Sequence, residues 1–248
     1  MTRLFGTDGV RGIANQDLTA LLAFQLAQSG AMVLRNDSHR PIVLIGKDTR
    51  QSCDMLEAAL SAGFLSMGYG VIRLGVIPSP GVAWLTKSTE ATCGVMISAS
   101  HNPANYNGIK FFSHDGYKLP DEVEDKIETI VREGLTYHET EEQTMGIWRE
   151  DPTLSQGYLE HVKNSVDVDL SGLKIVLDTA NGAAYDMAPA LFTSLGAKVH
   201  VIHHEPDGLN INKECGSTHT KDLQQKVLAT ESHIGFAFDG DADRLIAV

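Results

Sequence analysis

Apolar and polar residues alternate along the first half of the chain in the rhythm of strands separated by helices. Short β-rich apolar runs at 42–45, 71–74 and 92–97 predict three strands. Apolar residues recur every three or four positions over 54–67, which predicts a helix, and a shorter helix is expected after Pro80. Strands that alternate with helices are typical of a mainly parallel sheet with crossover helices.

Residues 109–112 and 121–132 extend this pattern with a further strand and an acidic amphipathic helix. The stretch 134–152 is rich in Glu and Thr and ends in Asp-Pro, which is the composition of a linker. We therefore expect a first domain over 1–150 and a second over 151–248.

The second half repeats the first in outline. Strand 173–178 matches the strand before Asp48, and a threonine follows the aspartate in both places. Further strands are predicted at 199–202 and 234–239. This repeat favours duplication of one βαβ unit, with chance similarity between unrelated α/β domains as the alternative. The predicted fold class is α/β, with two similar three-layer domains on mainly parallel sheets.

Each predicted domain places a polar loop after its third strand, 98-SASHNP-103 in the first and 239-DGDADR-244 in the second. Open α/β sheets bind ligands at the carboxyl ends of their strands. The two loops are therefore the candidate functional sites.

Composition and charge narrow the class of ligand. The formal net charge is −12, but residues 121–151 hold 11 acidic against three basic residues, so the remainder is nearly neutral. This argues against nucleic acid and against an anionic membrane as partners.

The apolar helix candidate 18–34 is interrupted by polar residues, and the N-terminus has no apolar signal region. Cys53, Cys93 and Cys215 lack metal-finger spacing and indicate reduced thiols in a cytoplasmic protein.

Asp239, Asp241 and Asp243 alternate with small residues, so a tight loop can turn three carboxylates toward one point. Carboxylate oxygens are hard ligands that suit Mg²⁺ or Mn²⁺ better than zinc or copper. We predict a metal site here, with a solvated acidic turn as the alternative.

A serine beyond a strand can serve acyl transfer or phosphoryl transfer, and the G-x-S-x-G elbow of many acyl-transfer enzymes is absent from the sequence. Phosphoryl transfer needs a divalent metal, cations for the substrate phosphate and a base for the attacking hydroxyl. The three aspartates offer the metal site, Arg11 and Arg244 offer the cations, and Lys110 or His101 offers the base.

Four motifs in order, spread over both halves, resemble one family. The loop 98-SASHNPANYNGIK-110 together with 239-DGDADR-244 resembles the α-D-phosphohexomutases. The stretches 5-FGTDGVRG-12 and 207-DGLNINKECGSTH-219 are similar to the bacterial phosphoglucosamine mutase branch of that family, more than to phosphomannomutase or phosphoglucomutase. The resemblance implies a fold of the phosphohexomutase type.

The resemblance also assigns the central chemistry. It implies that Ser100 is a phosphoserine, and that Asp239, Asp241 and Asp243 bind one Mg²⁺ with the phosphoserine as a further ligand. The implied reaction interconverts glucosamine 6-phosphate and glucosamine 1-phosphate through a 1,6-bisphosphate, which also serves as primer. That reaction belongs to UDP-N-acetylglucosamine biosynthesis, toward peptidoglycan precursors. The implied partner is a small phosphosugar, and a homodimer is considered.

Five further side chains receive roles by the same resemblance. Lys110 and Arg11 match the family's proton-transfer and phosphate-orienting residues, and His101 is similar to its sugar-contacting histidine. Arg244 and Asn102 are candidates for substrate binding. The alternatives are a solvated strand end for the lysine, loop capping for the histidine, loop shaping for the asparagine, and ion pairs with neighbouring aspartates for the arginines.

The family has four domains, with a G-E-x-S-G-H sugar loop in the third and an R-x-S-G-T-E-P phosphate loop in the fourth. Neither string occurs here, so we expect the first two domains only, and a fragment without full activity. The alternatives are another hexose phosphomutase, a haloacid-dehalogenase-type phosphatase with Asp239 as nucleophile, and a regulatory module that binds sugar phosphate without turnover.

Two other patterns are interpreted as structural. In 46-GKDTR-50, Asp48 or Thr49 is expected to cap the next helix. The pair His203-His204 resembles a metal tract, but adjacent residues on a strand face opposite sides, so we interpret it as coincidence.

Overall fold

A computed structural model describes residues 3–35, 41–134 and 145–248. The first of its two sheets has the strand order β1-β5-β4-β2-β3-β6, in which β4, β2, β3 and β6 are parallel. Strand β5 runs antiparallel to β4, and β1 runs antiparallel to β5. The strands and helices of this part are β1 (Val10–Ile13), α1 (Ala20–Leu34), β2 (Ile42–Lys47), α2 (Ser52–Ser66), β3 (Gly70–Val76), α3 (Ser79–Ser88), β4 (Cys93–Ile97), β5 (Tyr106–Ser113), α4 (Asp121–Glu133) and β6 (Trp148–Glu150).

Both faces of the first sheet are covered by helices, which explains its continuous apolar strands. Alternate residues of a strand point to opposite faces. Val43 and Ile45 of β2 join the core on the side of α1, α2 and α4, whereas Leu44 joins the core on the side of α3. Strand β4 is buried at every position because it lies inside this three-layer arrangement.

The second sheet is smaller, with the order β10-β9-β7-β8. Strand β7 is parallel to β8 and β9, and β10 is antiparallel to β9. Helix α5 packs against α3 of the first part and against α6 of the second. The elements are α5 (Pro152–Asn164), β7 (Lys174–Asp178), α6 (Met187–Ser194), β8 (Lys198–Ile202), a 3-10 helix (Gly216–Thr218), α7 (Lys221–Ala229), β9 (Ile234–Phe238) and β10 (Leu245–Ala247).

The predicted fold class is confirmed: both sheets are mixed, mainly parallel and flanked by helices. The linker expected over 134–152 is partly wrong. Residues 135–144 lie outside the described residues, but Trp148–Glu150 pairs with β3 and a helix begins at Pro152. The strand Trp148–Glu150 has three residues, which is too short to show a recognisable alternation of apolar and polar positions. The boundary between 150 and 151 stays a prediction.

Two further findings concern the cysteines and the helices. All three cysteines are buried and free. Among the described residues, the helices are too short or too polar to cross a membrane.

Asp178 at the end of β7 organises the loops of the second part. Its carboxylate accepts hydrogen bonds from the backbone N–H groups of Ala180 and Gly216, both at 2.9 Å. His203 Nδ1 lies 3.1 Å from the same carboxylate, while His204 is exposed. The adjacent Asp178 carboxylate, as an acceptor for the imidazole, raises the pKa of His203, and burial raises the pKa of Cys215, which lies beside them, to about 12.

The His203–Asp178 contact predicts a pH-dependent stability. A histidine whose folded pKa is raised stabilises the fold fully below its unfolded pKa of about 6.5 and loses that contribution as pH rises through the folded pKa. His203 has φ of +50°, which asparagine tolerates, so His203→Asn removes the charge without new strain. The free energy of unfolding, measured with urea, should therefore fall more at about pH 5.5 than at about pH 8.5. His204→Asn is the matched control, and an equal loss at both pH values would contradict the pairing.

Candidate active site

The loop after β4 holds its serine in an unusual backbone conformation. Ser100 has φ of +53° and is 1% exposed. Left-handed backbone costs a non-glycine residue about 1–3 kcal/mol and persists only where surrounding contacts enforce it. The contacts that enforce it come from both parts of the chain.

Asp48 at the end of β2 provides the first of these contacts. The Ser98 hydroxyl donates to its Oδ2 at 2.5 Å and accepts the Ser100 N–H at 2.9 Å. The predicted helix-capping role is wrong, because Gln51 precedes helix α2 and no side chain caps that end. Asp48 supports the serine loop instead, while the Thr49 hydroxyl donates to the carbonyl oxygen of Asn181 at 2.5 Å.

Arg50 provides the second set of contacts from a fully buried position. Its Nε donates to Asp48 at 2.9 Å. Its terminal nitrogens donate to four backbone carbonyls of the serine loop and the start of β5: Ser100 (3.0 Å), Asn102 (2.8 Å), Pro103 and Tyr106 (3.0 Å). All five N–H groups of the guanidinium are therefore used, one on Asp48 and four on the serine loop and the start of β5.

The loop after β9 gathers the three aspartates as predicted. One carboxylate oxygen from each of Asp239, Asp241 and Asp243 lies within 4.8 Å of the others. The first two are buried, and the side chain of Asp243 is 37% exposed. Asp241 Oδ1 is buried and, among the described residues, has no hydrogen-bond partner. An unpartnered buried carboxylate oxygen beside two other carboxylates fits a hard divalent cation.

The pKa of Asp241 is raised within this cluster. Burial raises its pKa to about 6, and the charges of Asp239 and Asp243 raise it in the same direction. Ser79 at the start of α3 opposes the shift, since its hydroxyl donates to Asp241 Oδ2 at 2.6 Å. The Ser79 N–H also donates to the Asp241 carbonyl at 2.9 Å, so the first sheet's helix holds the second sheet's loop.

The two loops meet at the serine hydroxyl. Ser100 Oγ donates to Asp239 Oδ2 at 2.7 Å. Arg244 donates to the same carboxylate at 2.8 Å and also contacts Ser100 Oγ, while its terminal nitrogen lies 2.8 Å from His101 Nδ1. A hydroxyl set between a carboxylate cluster and a guanidinium suits transfer of an anionic group, because cations neutralise its oxygens.

Lys110 on β5 is a further charged side chain beside the carboxylates. Its Nζ lies 3.8 Å from Asp241 and 3.7 Å from Asp243. Arg11 on β1 lies two strands from β4, and its guanidinium is 3.3 Å from Asp8. Its Nε is buried without a hydrogen-bond partner among the described residues, so one donor is unused in this arrangement.

The structure thus brings most of the predicted residues together. Ser100, the three aspartates, Lys110, His101 and Arg244 form one connected group. Arg11 is paired with Asp8, and Asn102 enters through its carbonyl oxygen. The sequence reasoning missed the supporting roles of Asp48, Arg50, Ser79, Ser98 and Asn212. The only signals were the charged 46-GKDTR-50 after a strand and a serine between prolines at a helix start.

Comparisons with known proteins agree with this fold. Residues 2–138 match the phosphoglucomutase/phosphomannomutase alpha/beta/alpha domain I, and residues 156–248 match domain II of the same family. The chain is 56% identical over 248 residues to a phosphoglucosamine mutase of Thermoanaerobacter sp. (strain X514). That match covers all of this chain and 56% of the relative, so the chain spans about half the relative's length.

Two solved structures share the architecture. A phosphoglucomutase/phosphomannomutase family protein of Burkholderia thailandensis superposes with a TM-score of 0.86 at 26% identity, covering 99% of this chain and 54% of that one. An N-acetylphosphoglucosamine mutase of Aspergillus fumigatus, solved with GlcNAc-6P and magnesium, gives a TM-score of 0.55 at 17% identity. It covers 98% of this chain and 49% of that one.

The carboxylate cluster predicts a measurable Mg²⁺ affinity. Asp241→Asn keeps the shape and the acceptor for Ser79 but removes one charged ligand, so the dissociation constant for Mg²⁺ should rise at least about ten-fold. Isothermal titration calorimetry measures it, and the exposed Asp167→Asn makes the same charge change away from the loop. An unchanged affinity in Asp241→Asn would mean that the loop is only an acidic turn.

Proposed function

Because the chain belongs to the phosphoglucomutase/phosphomannomutase family, we propose that it is part of a mutase that interconverts glucosamine 6-phosphate and glucosamine 1-phosphate. The observation that carries the proposal is the hydrogen bond of 2.7 Å that the Ser100 hydroxyl donates to Asp239, one of the three clustered carboxylates. The identity to a phosphoglucosamine mutase supports glucosamine over other hexoses.

In this proposal Ser100 exchanges a phosphoryl group with the sugar. The phosphoserine gives its phosphoryl to a free sugar hydroxyl, the P–Oγ bond breaks, and the hydroxyl proton leaves to a base. The resulting 1,6-bisphosphate turns round, and Ser100 Oγ takes the other phosphoryl while a proton returns to the released sugar oxygen. The bisphosphate also serves as primer for an unphosphorylated chain.

Asp239, Asp241 and Asp243 would hold Mg²⁺, with the oxygen of Ser100 or its phosphate as a further ligand. The ion would neutralise charge that develops on the transferring group. The raised pKa of Asp241 supports this assignment: burial and then the charges of Asp239 and Asp243 disfavour its carboxylate, and a bound cation would offset both. The Aspergillus fumigatus protein of the same fold was solved with magnesium and GlcNAc-6P.

The cations around the cluster have separate tasks. Lys110 is the proposed proton-transfer group, because it faces the cluster from β5 and its side chain is 13% exposed. Arg244 bridges Asp239 and the serine oxygen, and would bind the phosphate there. Arg11 would leave Asp8 to orient the substrate phosphate, with His101 and Asn102 at the sugar.

Two other functions remain as alternatives. A phosphatase would use Asp239 as nucleophile, but its Oδ2 already accepts from Ser100 and Arg244, and its Oδ1 accepts the Arg244 N–H at 3.1 Å. That network favours a carboxylate that serves the serine. A regulatory module that binds sugar phosphate would leave Ser100 without phosphate. The cytoplasmic location and the homodimer stay predictions from the sequence.

Replacing the serine tests the nucleophile. Ser100→Ala should abolish phosphate incorporation from glucose 1,6-bisphosphate, whereas Asp239→Asn should slow it and leave the acceptor in place. Intact-mass measurement with site mapping reads the result, and Ser165→Ala is a surface control. Hydroxylamine-sensitive phosphate on Asp239 in the Ser100→Ala protein would instead support the phosphatase.

A second experiment tests how much of the enzyme this chain represents. Turnover requires the bisphosphate to be held while it reverses, and positioning supplies much of the rate in such reactions. We expect the 248-residue chain to show no measurable conversion of glucosamine 6-phosphate, even with bisphosphate primer. Its phosphoserine should be lost slowly to water, because without sugar turnover water is the remaining acceptor for the phosphoryl group. Sustained turnover in a coupled assay would show that two domains suffice.

A further inference from the structure

The stretch 207-DGLNINKECGSTH-219 reaches the serine loop through one side chain. Asn212 Nδ2 donates to the carbonyl oxygen of Ser100 at 2.8 Å and to that of Asn102 at 3.1 Å. The residue is 9% exposed. Both hydrogens of its amide are therefore used on backbone acceptors that lie more than a hundred residues earlier in the chain.

Arg50 grips the same two carbonyls from the first part. One terminal nitrogen of its guanidinium donates to Ser100 at 3.0 Å and to Asn102 at 2.8 Å. Each carbonyl oxygen thus accepts one hydrogen bond from Arg50 and one from Asn212, which uses both of its lone pairs. The serine loop is therefore held from two sides, by Arg50 of the first part and by Asn212 of the second part.

The backbone under Asn212 is itself fixed. Asn212 has φ of +57°, and its N–H donates to the carbonyl of Ala180 at 3.0 Å, beside the end of β7. Gly240, between Asp239 and Asp241 in the metal loop, lies against it. A Cβ at Gly240 would lie 2.5 Å from the Ser100 carbonyl oxygen and 2.8 Å from Asn212 Nδ2. The loop of Ser100, the loop of the aspartates and Asn212 therefore pack too closely to leave room for a side chain at position 240.

We propose that Asn212 is a positioning residue for phosphoryl transfer: its two hydrogen bonds set the register of the serine loop against the metal loop. This inference rests on the proposed function and extends it to a side chain that touches neither metal nor substrate. The register matters because the Ser100 hydroxyl and Asp239 stand on loops from different sheets. A displacement of about 1 Å at such a site costs about a hundred-fold in rate.

The test is the rate at which Ser100 accepts phosphate from glucose 1,6-bisphosphate, followed by intact mass over a range of bisphosphate concentrations. Asn212→Asp has the same shape but turns a carboxylate oxygen toward two carbonyl oxygens. Its maximal rate should fall at least about ten-fold, while the half-saturating concentration stays within about two-fold. Asn212→Ala, which removes the donors without adding charge, should fall in the same direction by less.

Asn210→Asp is the matched control, because it makes the same change two residues away. The Asn210 side chain donates to Glu205 and accepts from Asp207 within its own turn. It should keep both the maximal rate and the half-saturating concentration. The assay temperature is set well below the measured melting temperature of every variant. Under that condition, substitution of a residue that only stabilises the fold leaves the maximal rate unchanged.

The outcomes separate this inference from the proposed function. Wild-type protein that takes no phosphate on Ser100 overturns both. Wild-type and Asn210→Asp proteins that take phosphate, beside an Asn212→Asp protein with the same maximal rate, overturn the positioning role alone. If Asn212→Asp does not fold, the Asn212→Ala protein decides, and a wild-type maximal rate in it overturns the inference.

Discussion

The buried ion pair between Arg50 and Asp48 is the interaction on which the site depends. Both side chains are fully buried, and the pair is 2.9 Å long. A buried pair is stable only when its remaining donors and acceptors are satisfied, and loss of one partner costs about 3–5 kcal/mol. Here the remaining donors of Arg50 are satisfied by the carbonyls of the serine loop. The loop and the ion pair therefore stabilise each other, and they supply the first part's share of the contacts that hold Ser100 in its left-handed conformation.

The loop of the three aspartates, 239-DGDADR-244, has the opposite electrostatics. Asp239, Asp241 and Asp243 bring like charges together, and burial raises the pKa of Asp241 to about 6. The compensating charges come from elsewhere in the fold: Lys110 from β5 and Arg244 from the end of the loop. Ser79 adds a hydrogen bond from the first turn of α3. Three carboxylates face two cations, so their charge is neutralised only in part.

Local pattern predicted most strands and the two polar loops, since strand runs and their polar ends are visible over a few residues. It did not predict β1 or β6. The three aspartates were predicted from their spacing in the loop, whereas Ser100 was singled out by the family resemblance. The supports were not, because their partners are distant: Ser79 contacts a residue 162 positions later, and Asn212 one 112 positions earlier. A single sequence shows 46-GKDTR-50 as an ordinary helix start. Only the tertiary arrangement shows that Arg50 turns back onto the serine loop.

The two sheets use similar positions for different contacts. Asp48 follows the last residue of β2 and Asp178 is the last residue of β7, and both strands are inner strands of their sheets. The first binds side chains, Arg50 and Ser98, and through them fixes the loop of Ser100. The second binds backbone N–H groups on either side of the stretch that presents Asn212. Asp48 thus supports the loop of Ser100. Asp178 supports the stretch of Asn212, which contacts that loop. The Ser100 hydroxyl of one loop and the carboxylate cluster of the other come together only because the two loops touch.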